Sequence, residues 1–200
     1  MRSLVVVVAG GAGRRFRSGG GGEDKLAAPL GRSTVLGRLL ADLDRLREEG
    51  VVDDLLLVGP DRGEGRRRVR EDPPGGGPAA ALAAALGAAG PDVDVLVLLG
   101  ADQPFAASAV PRLLGALSED PTAAGVLGRD PSGYPQPLLS AHRRARLGVP
   151  VPGAPLRAAF GTPLLDVALT DRECLDVDTP DDLDRASRAI SGGAGRPGRS

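Results

Sequence analysis

The apolar positions of this chain first mark out a set of buried strands. Residues 51–58 and 93–100 are rich in valine and leucine, and residues 3–8 form a continuous β-branched run. Such unbroken runs are typical of strands that are covered on both faces, as they are in parallel sheets. Two shorter runs, at 123–128 and 137–142, predict further strands in the less regular second half.

Between these runs the pattern changes to helical spacing. Leucines recur at that spacing over 34–49, where Ser33 is placed to cap the helix and Gly50 to end it. Small and apolar residues predict two more helices, over 79–89 and 108–117. Because strands and helices alternate, the chain is predicted to be an α/β protein, a three-layer α/β/α sandwich around a mainly parallel sheet.

The remaining segments are predicted from local signals. Residues 174–180 read as a strand, and Thr179 with Asp182 gives a capping-box start to a helix that ends near residue 190. The last ten residues, 191–200, contain no apolar anchor and are expected to be disordered. We therefore expect one domain over 1–190. An edge strand and a short helix complete the prediction, at 67–72 and 155–161.

Composition narrows the function classes. The formal net charge of −1 argues against nucleic-acid binding through general basicity, and the arginines at 66–70 are flanked by acids, as in a solvated turn and strand edge. No apolar run is long enough to cross a membrane, so we expect no membrane association and a cytoplasmic protein. Cys174 is the only cysteine, so no internal disulfide forms. His142 is the only histidine, and its arginine neighbours favour a surface position.

One cation stands out by residue type. The chain has 25 basic residues, of which Lys25 is the single lysine and the other twenty-four are arginines. It lies in the glycine-rich stretch GGGGEDKLAAPL, residues 19–30. An ammonium is a compact point charge, suited to a triphosphate oxygen whose position changes during a reaction. Lys25 is therefore a candidate phosphate-binding residue.

Two common glycine motifs do not fit this loop. The dinucleotide fingerprint needs glycine at the position of Phe16, and a bulky ring there would prevent close packing of helix on strand. The phosphate loop of NTPases needs Ser or Thr after its lysine, where this chain has Leu26.

A third pattern fits better. The chain reads Val8-Ala9-Gly10-Gly11, then Arg15-Phe16, then Asp24-Lys25. This order resembles the start of the molybdenum-cofactor guanylyltransferase-like nucleotidyltransferases. Four later stretches resemble that family in the same order: VREDPPGGGPAAALAAAL, LLGADQPF, YPQPLLSAHRR and LDVDTPDDL. The resemblance implies a Rossmann-like, nucleotide-diphospho-sugar transferase-like fold.

The resemblance also implies the site. Catalytic roles would fall to Lys25 and Asp102, and Mg²⁺ would be the cofactor. The metal ligands would be Asp102, Asp176 and Asp178. The implied nucleotide-binding residues are Val8, Ala9, Gly10, Gly11, Arg15, Lys25, Asp72 and Asp102.

The residues themselves give independent support to part of this set. Asp102 follows a buried strand, where open α/β sheets bind ligands, although it could instead cap the next helix. Asp176 and Asp178 would point the same way from a strand, either to bind metal or to be solvated at its end. Asp72 has the alternative role of a turn former. The backbone around Gly10 and Gly11 is suited to a phosphate nest.

The implied reaction transfers GMP from Mg-GTP to the phosphate of molybdopterin, and a molybdoenzyme or carrier protein is a candidate partner near Arg66. Three alternatives stay open: a cytidylyltransferase, a nucleotidyltransferase with another phosphorylated acceptor, and a non-catalytic nucleotide-binding paralogue. Asp176 and Asp178 favour the first, since the guanylyltransferases tend to have asparagine there. Arg17 and the lengthened glycine loop, which depart from the family pattern, motivate the last.

Overall fold

A seven-stranded sheet forms the centre of the computed structural model, which describes residues 1–11, 13–20, 22 and 24–191. The described residues form nine strands: β1 (Ser3–Val8), β2 (Pro29–Leu30), β3 (Ser33–Thr34), β4 (Asp54–Val58), β5 (Arg68–Val69), β6 (Val95–Gly100), β7 (Gly125–Arg129), β8 (Pro135–Arg143) and β9 (Leu164–Ala168). They also form five α-helices: α1 (Arg14–Ser18), α2 (Val35–Glu48), α3 (Gly77–Ala88), α4 (Val110–Glu119) and α5 (Pro180–Ser191). Short 3-10 turns occupy Ala106–Ala109, Arg144–Arg146 and Leu156–Ala159.

The sheet has the order β5-β4-β1-β6-β8-β7-β9. Every neighbouring pair is parallel except the two pairs that β8 makes with β6 and β7. The predicted mainly parallel sheet is therefore confirmed. Because β8 runs the opposite way, its first residues lie at the same edge as the carboxyl ends of β1 and β6. The turn between β7 and β8 lies at that edge too, closed by hydrogen bonds from Gly133 and Asp130, with the Tyr134 ring exposed.

Burial on both faces explains the unbroken apolar runs. In β1, Val5 and Val7 pack with residues of α2 and α4, while Leu4 and Val6 pack with residues of α3 on the opposite face. Each face removes apolar side chains from water, so the central positions of the strand are apolar on both sides. The predicted three-layer α/β/α arrangement follows, and it is confirmed.

Local signals set the helix ends, with one correction. Thr34, not Ser33, caps α2: its side-chain oxygen accepts a hydrogen bond from the backbone of Gly37 at 3.0 Å, while Ser33 pairs with Leu30 in the small β2–β3 ribbon. The capping box of α5 is present as predicted, since Thr179 and Asp182 exchange backbone-to-side-chain hydrogen bonds. Within the described residues, no helix is both long and apolar enough to cross a bilayer.

The second half contains the main errors of the sequence prediction. Residues 174–179 do not form a strand; the segment lies against the sheet through a hydrogen bond from the Val177 N–H to the Asp102 carbonyl at 2.9 Å. The edge strand β9 was not predicted, because its partly exposed residues lack a continuous apolar run. The helix α5 ends at Ser191, and residues 192–200 of the predicted disordered tail lie outside the described residues.

The expected surface position of His142 is wrong. The side chain is fully buried on β8, its ring centroid lies 3.9 Å from that of Phe160, and its Nε2 lies 3.0 Å from the Ser140 hydroxyl. Burial lowers the pKa of His142 to about 4. β8 lies between two other strands, so a side chain with polar sequence neighbours still faces the interior.

Candidate active site

A crevice of about 350 Å³ opens at the carboxyl edge of the sheet, between the ends of β1 and β6. The chain places β4 and β5 on one side of β1 and then crosses to place β6 on the other, so the end of β1 is a topological switch point. Open α/β sheets bind their ligands at such points. The crevice is lined by Val8, Gly10, Gly11, Glu71, Gly75, Gly77, Pro78, Ala81, Asp102 and Leu138.

The loop after β1 forms one wall of the crevice. Ala9 is buried, and its N–H continues the sheet by donating to the Val58 carbonyl at 2.7 Å. Gly10 packs against Glu71 so closely that a Cβ atom at Gly10 would lie 2.7 Å from a Glu71 carboxylate oxygen. Of the predicted residues here, Val8, Gly10 and Gly11 line the crevice, whereas Ala9 is not among the lining residues.

Lys25 is almost fully buried and reaches one of the acids that line the crevice. Its ammonium donates to Asp102 at 2.7 Å and to Asp178 at 2.6 Å. We call these three residues the crevice cluster. Burial alone would lower the pKa of Lys25, but the two carboxylates raise it above its usual value. The lysine is therefore charged at neutral pH.

Three distant segments contribute to the crevice cluster. Asp102 follows β6, as predicted, and its backbone carbonyl accepts the hydrogen bond from Val177 that places Asp178 beside it. Asp178 directly precedes the cap of α5, and Arg15 of α1 lies 3.5 Å from its second oxygen. The structure thus brings Lys25, Asp102, Asp178 and Arg15 together.

Two other predicted acids occupy different positions. Asp176 has an exposed surface, but neighbouring protein atoms still exclude part of the water around its carboxylate. This partial desolvation, together with the charges of Asp178 and Asp102, raises the pKa of Asp176. Asp72 is exposed and is not among the residues that line the crevice, whereas Glu71 beside it is buried there and accepts a hydrogen bond from the Gly75 N–H at 3.1 Å. The sequence prediction missed Glu71 because it chose the neighbouring aspartate as the acidic residue of the site.

Arg62 is a second residue that sequence reasoning missed. Its guanidinium donates to the Asp24 carboxylate at 2.5 Å and to the Ala9 carbonyl at 3.1 Å. Asp24 also accepts from the backbone of Leu26 at 3.0 Å, which fixes the turn that carries Lys25. Arg62 therefore ties the lysine-bearing turn to the end of β1. No sequence signal pointed to this contact, because Arg62 and Asp24 are 38 positions apart.

A second cavity of about 350 Å³ lies between α2 and the residues that follow β6. Its arginines, Arg38 and Arg45, both pair with Asp42, and Arg172 lies over the Phe105 ring at 4.6 Å. These cations are engaged by their neighbours, and the Gly10–Gly11 loop is not among the lining residues. The switch-point crevice is the better candidate site.

The donor set of the crevice suits a hard divalent cation. Both carboxylates of the crevice cluster approach one cationic atom within 2.7 Å, so they face a common point. Mg²⁺ is usually held by one or two carboxylates and completes its shell with phosphate oxygens and water. Among the described residues, no group of three or more His, Cys, Asp or Glu side chains could hold a metal ion. Asp102 and Asp178 would therefore need further oxygens from a phosphate or from water.

Comparison with known protein families gives one match of more than half the chain. The model of the MobA-like NTP transferase domain matches residues 5–150. This range includes Lys25, Asp102 and every residue that lines the crevice, but not Asp178. No curated protein matches the chain significantly.

Several solved structures resemble the chain over almost its whole length. Rv0371c of Mycobacterium tuberculosis H37Rv, solved in complex with manganese, is 23% identical with a TM-score of 0.64, and the match covers 94% of this chain and 100% of that one. Molybdopterin-guanine dinucleotide biosynthesis protein A of Archaeoglobus fulgidus is 20% identical with a TM-score of 0.63, over 94% and 99% of the two chains. The 2-C-methyl-D-erythritol 4-phosphate cytidylyltransferase of Thermus thermophilus is 17% identical with a TM-score of 0.61, over 96% and 100%. These likenesses establish the shared fold.

Proposed function

Because the chain belongs to the family of MobA-like NTP transferase domains and is a nucleotidyltransferase, we propose that it transfers GMP from Mg-GTP to the phosphate of molybdopterin. The observation that carries this proposal is the convergence of Lys25, Asp102 and Asp178 beside a glycine-lined crevice at the switch point of the sheet. A site of this kind combines close backbone approach with both signs of charge. Binding a triphosphate with a divalent cation requires both.

The reaction balances without a proton acceptor on the protein. An oxygen of the acceptor phosphate forms a bond to the α-phosphorus of the nucleotide, and the bond from that phosphorus to the bridging oxygen breaks. Pyrophosphate leaves with the electron pair of the broken bond. The acceptor phosphate is already ionised at neutral pH, so the site needs positioning and charge neutralisation more than a general base. The buried His142 lies outside the residues that line the crevice, in agreement with this chemistry.

Each part of the site has a defined task in this proposal. The backbone at Gly10 and Gly11 would approach the phosphates closely, and Lys25 would donate to a triphosphate oxygen. When bound, Mg²⁺ would neutralise charge on the triphosphate and on the departing pyrophosphate, held by Asp102 and Asp178. Arg62 keeps the lysine-bearing turn in place through Asp24.

The choice of guanine rests on sequence features. Gly10-Gly11 after Ala9 and the Gly77-Pro78 turn resemble the guanylyltransferases, and both pairs line the crevice. A second candidate is transfer of CMP from Mg-CTP in place of GMP. It is favoured by Asp178, since a carboxylate pairs with Lys25 at the position where the guanylyltransferases tend to have asparagine.

We also propose that the enzyme is cytoplasmic and that it delivers its product to a molybdoenzyme or a carrier protein. The basic turn near Arg66 offers such a partner little uncommitted charge. Arg66, Arg67 and Arg68 each pair with an aspartate, at Asp44, Asp54 and Asp61.

The test is pyrophosphate release from Mg-GTP and Mg-CTP in the presence of molybdopterin. We expect release with GTP, and loss of that release in Lys25→Ala and in Asp102→Ala. Asp166→Ala is the matched control, because it removes an exposed carboxylate that pairs with Arg129 on the edge strand β9. Release with CTP alone would support the second candidate. Binding of GTP without release would overturn the proposed acceptor.

A further inference from the structure

The ammonium of Lys25 occupies the point at which Asp102 and Asp178 converge. It lies 2.7 Å from one carboxylate and 2.6 Å from the other. The lysine side chain is only 7% exposed, whereas the two aspartate side chains are 29% and 36% exposed. The two acids are therefore partly open to solvent on one side and neutralised by a buried cation on the other.

A divalent cation held by both carboxylates would lie close to the ammonium that already contacts them. Close approach of a metal ion to both of them brings its two positive charges next to the ammonium, and this repulsion is strong in a partly buried site. Arg15 adds a further positive charge 3.5 Å from Asp178. Before any ligand arrives, the two acids already have two cationic neighbours.

Several hydrogen bonds hold the turn that carries Lys25. Asp24 is held by Arg62, and the backbone N–H groups of Ala27 and Ala28 donate to the carbonyls of Asp24 and Lys25. The lysine side chain also packs beside Gly13, where a Cβ atom would lie 3.7 Å from the Lys25 Cγ. These contacts favour movement of the ammonium end of the side chain over movement of the turn, and the buried ammonium would move only towards another anion.

We propose that Lys25 is a counter-cation that excludes divalent metal from Asp102 and Asp178 until a nucleoside triphosphate supplies its negative charge. The phosphates would then attract the ammonium and provide the missing metal ligands. Metal and nucleotide would bind as one unit, and metal alone would bind weakly. The claim that a nucleoside triphosphate relieves the exclusion rests on the proposed function. The claim that Lys25 competes with the metal does not.

The first test measures Mn²⁺ binding to the full chain without nucleotide, from the free-Mn²⁺ signal in electron paramagnetic resonance. We expect weak binding by the wild type and binding at least about tenfold tighter in Lys25→Met, which removes the charge but keeps much of the side-chain volume. The matched control is Arg15→Met. It removes a cation near the same carboxylate from an 83% exposed side chain, so solvent and salt already screen its charge. Its effect should stay below about threefold.

A second neutral variant keeps the test informative if Lys25→Met does not fold. Lys25→Gln is neutral but can still donate hydrogen bonds to the two carboxylates, and it should also bind Mn²⁺ more tightly than the wild type. Thermal unfolding with and without Mn²⁺ gives an independent readout. The metal should raise the melting temperature of both Lys25 variants more than that of the wild type.

A third measurement adds a GTP analogue with a non-hydrolysable α,β bond. It should tighten Mn²⁺ binding to the wild type by more than it does in Lys25→Met, since the variant has no ammonium to displace. The proposal is overturned if neither Lys25 variant binds Mn²⁺ more tightly than the wild type, or if Arg15→Met gains as much as they do. Failure of both GTP and CTP to bind would instead overturn the proposed function and leave the nucleotide-free comparison intact.

Discussion

Two clusters of charged side chains attach the segment 170–179 to the rest of the molecule, and they differ in how completely their carboxylates are satisfied. One is the crevice cluster. The other, the Glu173 cluster, consists of Glu173, Arg112, Ser108 and Thr170. Glu173 accepts hydrogen bonds from the Ser108 hydroxyl, the Arg112 guanidinium and both the N–H and the hydroxyl of Thr170, at 2.8 to 3.1 Å.

The carboxylates of the crevice cluster accept fewer hydrogen bonds than their oxygens could. The Lys25 ammonium donates to one oxygen of Asp102 and to one oxygen of Asp178, and about a third of each aspartate side chain is exposed. The Glu173 side chain is only 4% exposed. A carboxylate surrounded by donors holds the fold together, whereas one with free lone pairs in a crevice is available to a ligand. The difference predicts opposite responses to mutation.

The largest expected effect is on activity. Asp102→Asn should lower nucleotidyl-transfer kcat/KM by about 10³-fold, since it removes a negative charge from the point at which metal and phosphates would meet. The free energy of unfolding should fall by less than it does in Glu173→Ala, because Asp102 is partly solvated and the Lys25 ammonium keeps its contact with Asp178. Turnover and chemical denaturation of the same preparation check both parts. Unchanged turnover would remove Asp102 from the mechanism.

The next effect is on stability. Glu173→Ala should lower the free energy of unfolding by about 3 kcal/mol, because it leaves the donors of Arg112 and Thr170 without their buried acceptor. Activity per folded molecule should remain close to that of the wild type. Urea denaturation measures the first quantity, and a stability loss no larger than that of an exposed control, Asp166→Ala, would contradict the comparison.

A third test extends the comparison to a buried group with only one hydrogen-bonding neighbour among the described residues. In the folded protein the pKa of His142 is lowered to about 4, so the folded form stays neutral where the unfolded chain takes up a proton. Above pH 6.5 both forms are neutral at this residue and it does not lower the free energy of unfolding. As the pH falls from 6.5 towards 4, protonation of the unfolded chain progressively lowers the free energy of unfolding. The free energy of unfolding should drop by about 2 kcal/mol between about pH 7.5 and about pH 5 from this residue. In His142→Leu that part of the pH dependence should be absent, and an identical slope would contradict it.

The smallest expected effect concerns the anchor of the lysine-bearing turn. Arg62→Ala should raise the KM for the nucleotide about tenfold, since Asp24 would lose its buried cation and the position of Lys25 would become less defined. Arg67→Ala is the control, because Arg67 is an arginine of the same region that pairs with Asp54 at the surface. Steady-state kinetics separate KM from kcat, and equal effects of the two variants would remove the positioning role from Arg62.

Local pattern predicted those parts of the molecule that local forces determine. The buried run of β1 and the leucine spacing of α2 identified both elements because both faces of the strand, and one face of the helix, must be apolar. Lys25 and Asp102 were singled out as catalytic candidates by the family resemblance, with support from the residue type of Lys25 and from the strand-end position of Asp102. In the structure the Lys25 ammonium lies 2.7 Å from the Asp102 carboxylate, and the catalytic roles of both residues remain predictions.

The rest depended on contacts between distant parts of the chain. His142 is buried because β8 pairs between β6 and β7, and its neighbours in sequence do not reveal this. Arg62 reaches Asp24 across 38 positions of the sequence. Residues 174–180 were expected to be a strand, whereas in the structure a hydrogen bond from the Val177 N–H to the Asp102 carbonyl holds this segment beside the end of β6.

The turn between β7 and β8 has an evolutionary consequence. It lies at the crevice edge of the sheet, and its backbone-to-backbone hydrogen bonds link Asp130 to Gly133 and to Tyr134 within the turn itself. Exposed turns of this kind tolerate insertions and changes of residue type without altering the register of their strands. Divergent lineages can therefore exchange this loop while the loop after β1 and the crevice cluster stay unchanged.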